Sequence, residues 1–256
     1  MKIAKLLLLV LLVGIIFCLA GCSSSFTGYR YLLNADGDTV TITGLVNKED
    51  GNMLTLNIPK TLDGYQVTDI GDGAFKNCNF SYVTIPDTVK SIGNSAFEGC
   101  SELAYIEMTE SVTSIGKNAF RNCPKLTQVT SYRNCEYLKV GTNPYYCLLG
   151  ASNTNLNIYT THDDTKIIAQ GAFQRCSLAT EIRISSGVTH IGNTAFADCS
   201  ILKSVVIPES VKSIGYGAFS GSNLENIYYT GSKTMWNKIT LNTFVDGITV
   251  HYNYVP

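Results

Sequence analysis

The stretch Val83-Thr84-Ile85-Pro86-Asp87-Thr88-Val89-Lys90-Ser91-Ile92-Gly93-Asn94-Ser95-Ala96-Phe97-Glu98-Gly99-Cys100 decides the fold, because its pattern returns. An aliphatic pair lies nine and seven residues before an Ile-Gly dipeptide, a valine lies three before, Ala-Phe follows at four and five, and Cys at eight. The same types recur as Ile106, Met108, Val112, Ile115, Gly116, Ala119, Phe120 and Cys123. They return as Ile182, Ile184, Val188, Ile191, Gly192, Ala195, Phe196 and Cys199, and again as Val205, Ile207, Val211, Ile214, Gly215, Ala218 and Phe219. Ile92, Ile115, Ile168, Ile191 and Ile214 are spaced by 23, 53, 23 and 23 residues, and Ile70 precedes Ile92 by 22, so one interval is a period of 23 with 30 residues added.

A fixed period of this size is the signature of a stacked-coil architecture. The aliphatic pair spaced by two predicts a short strand with both side chains on one face, ended by Pro86 or Pro208. Val-x-x-Ile-Gly predicts a second extended piece, with glycine letting the chain turn sharply after it. Ala-Phe predicts one helical or 3-10 turn, the phenyl ring inside and alanine permitting close approach of the next coil. No single unit can bury these faces, whereas successive coils sharing one continuous interior can, each large buried apolar side chain contributing roughly 1.5–3 kcal/mol.

The motif Ile-Pro-x-x-Val-x-x-Ile-Gly-x-x-Ala-Phe-x-x-Cys resembles the 23-residue leucine-rich repeats of the BspA type, over about residues 54–230. The resemblance implies a right-handed leucine-rich-repeat solenoid of short β-strands with single helical or 3-10 turns and one short C-terminal cap helix. It also implies a secreted or surface-attached protein. Several members are implicated in adhesion to host matrix proteins or to other bacteria.

The N-terminal segment points to the same compartment. Lys2 and Lys5 precede an uncharged apolar run from Leu6 to Cys18, too short to span a bilayer comfortably. Leu19-Ala20-Gly21-Cys22 followed by Ser23-Ser24-Ser25 resembles the lipobox and polar tether of bacterial lipoproteins. The expectation is a signal peptide over 1–21, lipidation at Cys22 and a tether over 22–28. The protein is then extracytoplasmic, anchored to the bacterial membrane or cell surface by two or three acyl chains, since one chain alone binds marginally. A plain secretory signal with an incidental cysteine is the competing reading.

The remaining boundaries are a cap hairpin over 29–53, repeats over 54–230 with an insertion at about 130–160, and a C-terminal cap over 231–256. Thr39 to Thr43 after Asp36-Gly37-Asp38 read as a hairpin strand. Lys233–Ile239 reads as a short helix with Ser232 as N-cap and Trp236 facing the core, closed by a strand between Gly247 and Tyr252. The insertion reads as one degenerate coil with a protruding loop, Leu138, Val140, Leu148 and Leu149 facing inward.

Five cysteines, Cys78, Cys100, Cys123, Cys176 and Cys199, share one repeat position and predict a buried ladder, whereas Cys135 and Cys147 lie off it and leave a disulfide open. The net charge of −1, about −3 without Lys2 and Lys5, offers no footprint for nucleic acid. No catalytic or metal motif appears, His162, His190 and His251 are scattered, and turn chemistry accounts for Asp36-Gly37-Asp38 and His162-Asp163-Asp164, so no enzyme activity or cofactor is expected. The functional expectation is an adhesion-type module for a protein or glycan. Its contact row is Tyr82, Thr84, Tyr105, Glu107, Glu181, Arg183, Ser204 and Val206, the outward positions of the first strands. A passive cell-envelope component is the alternative, and an enzyme with its site in the insertion a more distant one.

Overall fold

The computed structural model describes residues 14–16, 28–46, 54–243 and 247–256. Cys22 and nearly all of the expected leader and tether therefore lie outside the described residues, as does 47–53 at the end of the expected N-terminal cap.

The chain is a β-solenoid in which each coil contributes rungs to three ladders. The first is parallel and carries the aliphatic pairs: Thr55–Asn57, Tyr82–Thr84 and Tyr105–Glu107 pair in order, with Tyr82 opposite Tyr105 and Thr84 opposite Glu107. After the insertion it resumes as Ile158–Thr160, Glu181–Arg183, Ser204–Ile207, Asn226–Tyr229 and Thr249–His251. Alternation places Val83, Ile106, Ile182 and Val205 fully inside. The second ladder is the Ser-Ile dipeptides, Ser91–Ile92 on Ser114–Ile115 and, beyond the insertion, Ile167–Ile168, His190–Ile191 and Ser213–Ile214.

The third ladder runs through the Ala-Phe segments, which form turns rather than the expected helical or 3-10 turns. Two positions per turn adopt left-handed backbone: Gly73, Ser95, Asn118, Gly171, Thr194 and Gly217 at one, and Asn77, Gly99, Asn122, Arg175, Asp198 and Gly221 at the other. A left-handed residue interrupts any helix of L-amino acids. The N–H groups freed by this geometry point along the stack instead. Those of Gly73, Phe75 and Asn77 donate to the carbonyls of Asn94, Ala96 and Glu98, and those of Ser95, Phe97 and Gly99 to Lys117, Ala119 and Arg121. Gly171, Phe173 and Arg175 repeat the pattern on Asn193, Ala195 and Ala197.

The Ile-Gly glycine also has a different cause from the one expected. A Cβ at Gly93, Gly116, Gly192 or Gly215 would lie 2.4–2.6 Å from a backbone nitrogen of the preceding coil. Close approach excludes a side chain there, not a need for positive φ.

Inside, Phe75, Phe97 and Phe120 stack at 5.3 and 5.6 Å between ring centres, and Phe173, Phe196 and Phe219 at 5.8 and 5.5 Å. The interior is not one continuous core. It falls into two clusters, and the insertion divides them. The insertion is no loop: Val129–Tyr132, Cys135–Val140 and Asn143–Ala151 form an antiparallel meander whose last strand pairs with Ile167–Ile168. Leu138, Val140, Tyr146 and Cys147 pack into the first cluster, while Cys135, Tyr137 and Leu148 pack into the second. Leu149 is half-buried rather than fully inside.

Both ends are closed. Tyr29–Leu33 and Thr39–Leu45 form the expected hairpin, and the second strand runs parallel to Tyr65–Ile70. The Tyr31 hydroxyl donates to Asp63 at 2.5 Å, joining the hairpin to the turn between Thr61–Leu62 and Tyr65–Ile70. Gly14–Ile16 pairs antiparallel with Tyr29–Leu33. At the other end the helix is shorter than expected, Lys233–Trp236, with the Ser232 hydroxyl accepting from the Met235 N–H at 3.3 Å. Trp236 is buried edge-on against Tyr229 at 5.1 Å.

Candidate binding face

The outward positions of the first ladder form two patches rather than one row. The first ladder stops at Tyr105–Glu107, where a side chain takes the place of the next strand. The Gln128 carboxamide accepts from the Ile106 N–H at 2.6 Å and donates to the Ile106 carbonyl at 2.9 Å. A buried amide supplies the donor and acceptor that a paired strand would have offered.

In the N-terminal patch, Tyr82 and Tyr105 stack with ring centres 5.3 Å apart and planes at 18°. Their register partnership forces this, because directly opposite residues of a parallel pair share one face. The Tyr82 hydroxyl donates to Glu107 at 2.7 Å, and this hydrogen bond, with smaller help from desolvation and the carboxylate charge, holds the phenol above its ordinary range. Tyr105 and Glu107 are exposed, and Tyr82 and Thr84 half-buried.

In the C-terminal patch, Arg183 Nε donates to Glu181 at 2.5 Å, and that hydrogen bond and charge raise the guanidinium's pKa further. Ser204 is half-buried. Val206 is not available as a contact: flanked in register by Arg183 and Tyr228, it is 5% exposed. Short side chains between long neighbours on a sheet are covered by them.

Beside Val206 the structure places aromatic groups absent from the expected row. Tyr228 stacks on His251 at 4.8 Å and 17° and lies 4.8 Å from the Tyr254 ring, while His251 Nε2 pairs with Asn226 Oδ1 at 2.8 Å. The period contains the signal, since Arg183, Val206, Tyr228 and His251 follow one another at 23, 22 and 23 residues. A third aromatic group sits on the insertion. Tyr145 stacks on His162 at 3.7 Å, Tyr132 meets His162 edge-on at 4.8 Å, and the Arg133 guanidinium lies 5.2 Å from the Tyr132 ring.

Of the cysteines at the repeat position, Cys78, Cys100, Cys176 and Cys199 are buried and Cys123 is half-buried. Cys100, Cys123 and Cys199 each donate at 3.1 Å to a phenylalanine carbonyl of the preceding coil, Phe75, Phe97 and Phe173. Cys135 and Cys147 are not linked. They stand opposite Ala151 and Leu138 and belong to different core clusters, and burial pushes the Cys135 thiol up to about 12. His190 is half-buried rather than a plain surface variant; burial, then the Lys212 charge, lower its pKa. The Asp36 and His162 segments are turns: Asp36 Oδ1 accepts from the Asp38 and Thr39 N–H groups at 2.9 Å each, and His162 Nδ1 accepts from the Asp164 N–H at 3.1 Å. Among the described residues no group of three or more His, Cys, Asp or Glu converges to hold a metal.

Among solved structures, a leucine-rich repeat protein of T. pallidum is 25% identical, with 78% of this chain and 82% of that one covered at a TM-score of 0.41. One from Bacteroides ovatus is 21% identical, covering 89% and 70% at 0.39. A leucine rich cell surface protein from Faecalibacterium prausnitzii is 22% identical, covering 86% and 98% at 0.30. No curated protein matches the chain. The model of the BspA type leucine rich repeat region matches residues 68–147 and 149–248 in six copies. Its turns, ladders and recurrent Ala-Phe pairs place the chain in the BspA-type leucine-rich-repeat family.

Proposed function

We propose that the chain is a surface-displayed lipoprotein, held to the membrane through acylated Cys22, whose solenoid binds a protein or glycan on the outward face of its first strands. The stacked Tyr82–Tyr105 pair carries this reading. Two parallel rings on adjacent rungs, one fixed by Glu107, present a rigid aromatic surface that loses little entropy on contact. The Tyr228–His251–Tyr254 group and the Arg183–Glu181 pair extend the same kind of surface beyond the insertion. Export rests on the lipobox-like Leu19-Ala20-Gly21-Cys22. Among the described residues no helix is long and apolar enough to cross a membrane.

Two measurements test the two halves of the proposal. Metabolic labelling with a palmitate analogue marks the protein and is lost in Cys22→Ser; labelling that persists sinks the anchor. Binding to bacterial and host-cell surfaces and to glycan and matrix-protein arrays falls at least tenfold when Tyr82 and Tyr105 are both alanine, with thermal unfolding little changed. Undiminished binding by that variant removes this face from the proposal.

A further inference from the structure

The third ladder is broken at the insertion, and the break is an open slot. Each intact turn sends three N–H groups to three carbonyls of the next turn, as Ser95, Phe97 and Gly99 do. The equivalent groups of the following turn are those of Asn118, Phe120 and Asn122. Among the described residues they meet no acceptor. The next turn in the stack is the one at 170–174, whose Gln170, Ala172 and Gln174 carbonyls occupy the accepting positions. Of these carbonyls, among the described residues, only that of Ala172 receives a backbone hydrogen bond, from the Ala151 N–H at 2.9 Å, while the Gln170 N–H donates to the Ile115 carbonyl at 2.9 Å and closes one end of the slot. Between the two turns lies a cavity of about 530 Å³, within the range of ligand sites, walled by both turns and by the end of the insertion strand.

The walls say what shape fits. Asn118 and Asn122 are left-handed, at φ 59° and 57°, so the donors follow the curve of the repeat's turn and a straight strand cannot meet all three. The phenylalanine spine also ends here. Phe120 and Cys123 line the cavity and are more accessible than Phe97 and Cys100, their fully buried equivalents. Lys117 and Arg121 outnumber Glu136 among the charged lining residues. The Lys117 ammonium meets the neutral Gln174 side chain at 2.6 Å, where the equivalent Asn94 and Asn193 instead accept a hydrogen bond from the next coil.

We propose that this slot is a peptide-binding site, and that its ligand is a turn-forming segment of a partner protein carrying one aromatic and one acidic side chain. The segment's carbonyls at alternate positions accept from Asn118, Phe120 and Asn122. Its ring continues the stack on Phe120, and its carboxylate meets Lys117 and Arg121. The bound segment supplies the missing acceptors in the part of the slot that opens beyond the Gln170 N–H to Ile115 carbonyl bond, rather than a whole further coil. The site is separate from the aromatic face of the first strands.

The chain supplies its own probe. A cyclised peptide with the sequence of residues 193–198, Asn-Thr-Ala-Phe-Ala-Asp, has the required carbonyls, ring and carboxylate. Added to the intact protein, it is expected to slow hydrogen exchange at Asn118, Phe120 and Asn122 at least tenfold. Replacing its phenylalanine by alanine should weaken binding about tenfold. Thr154→Trp, at a solvent-exposed position of the cavity wall, should block it. Lys117→Glu should weaken it severalfold and be rescued by a peptide with lysine in place of aspartate. The proposal is overturned if those amides already exchange slowly in the free protein, or if millimolar peptide leaves them unchanged. It also fails if the phenylalanine-free peptide binds equally well, or if protection instead follows protein concentration without peptide, which would make a second copy the occupant.

Discussion

The stacks on either side of the insertion are built from the same repeat, yet their inner ends differ. On the N-terminal side, Phe75, Phe97 and Phe120 form a spine whose last ring faces the slot, and the first ladder ends on the Gln128 side chain. On the C-terminal side, Phe173 is fully buried and meets Tyr159 edge-on at 5.3 Å, so the spine begins under cover. Tyr159, on the strand that follows the meander, covers the start of the second spine, whereas the end of the first stays partly open. A solenoid is stabilised by its interfaces, and here one interface is of a different kind from the rest.

The largest test asks whether the halves unfold as one. Phe97→Ala and Phe196→Ala each remove the middle ring of a stack, and each is expected to cost about 3–5 kcal/mol. Hydrogen exchange should lose protection chiefly in the half that carries the substitution, because the two core clusters are separate and meet at the meander and the 167–170 segment. Equal loss across the whole chain from either variant would show a single cooperative unit and erase the distinction.

A smaller effect is expected at the polar seam. Gln128→Ala leaves the Ile106 N–H and carbonyl buried without the partners they have now, at about 1–3 kcal/mol for each group left unpaired. The loss should appear in urea unfolding as destabilisation of the N-terminal half, with the C-terminal half unmoved. No change in the urea midpoint would mean that water replaces the carboxamide.

The repeat, its strands and the buried phenylalanines were legible because each depends on residues at a fixed spacing, which periodicity exposes. The hydrogen-bond geometry of the turns was not. Gly73, Ser95, Asn118, Gly171, Thr194 and Gly217 share a left-handed backbone but few side-chain features, so no consensus marks them. The break left faint traces nonetheless. Ala169 stands where Ile-Gly has glycine in neighbouring repeats, and its N–H pairs with Leu148 of the insertion strand where theirs pair with the isoleucine of a regular coil. Lys117 stands where Asn94 and Asn193 cap the next coil, and there is no regular coil to cap. At the face, alternation identified Tyr82, Tyr105 and Glu107 but could not show that Val206 is covered, since coverage depends on the length of side chains a full period away.

The smallest effect separates the halves by pH. The Ser of the second ladder is Ser91 and Ser114 before the insertion and Ser213 after it, but the rung between Ile167 and Ser213 carries His190. Burial, and secondarily the Lys212 charge, hold its pKa below the ordinary value of about 6.5. The unfolded chain therefore takes up a proton in this range that the folded chain resists, and stability falls as pH drops from about 7 through the unfolded value, levelling off once the folded imidazole is protonated too. His190→Ser restores the residue type of the neighbouring rungs and should flatten that component of the C-terminal half's stability while leaving the N-terminal half's profile alone. A slope of unfolding free energy against pH that is unaltered by the substitution would assign the acid sensitivity to another group.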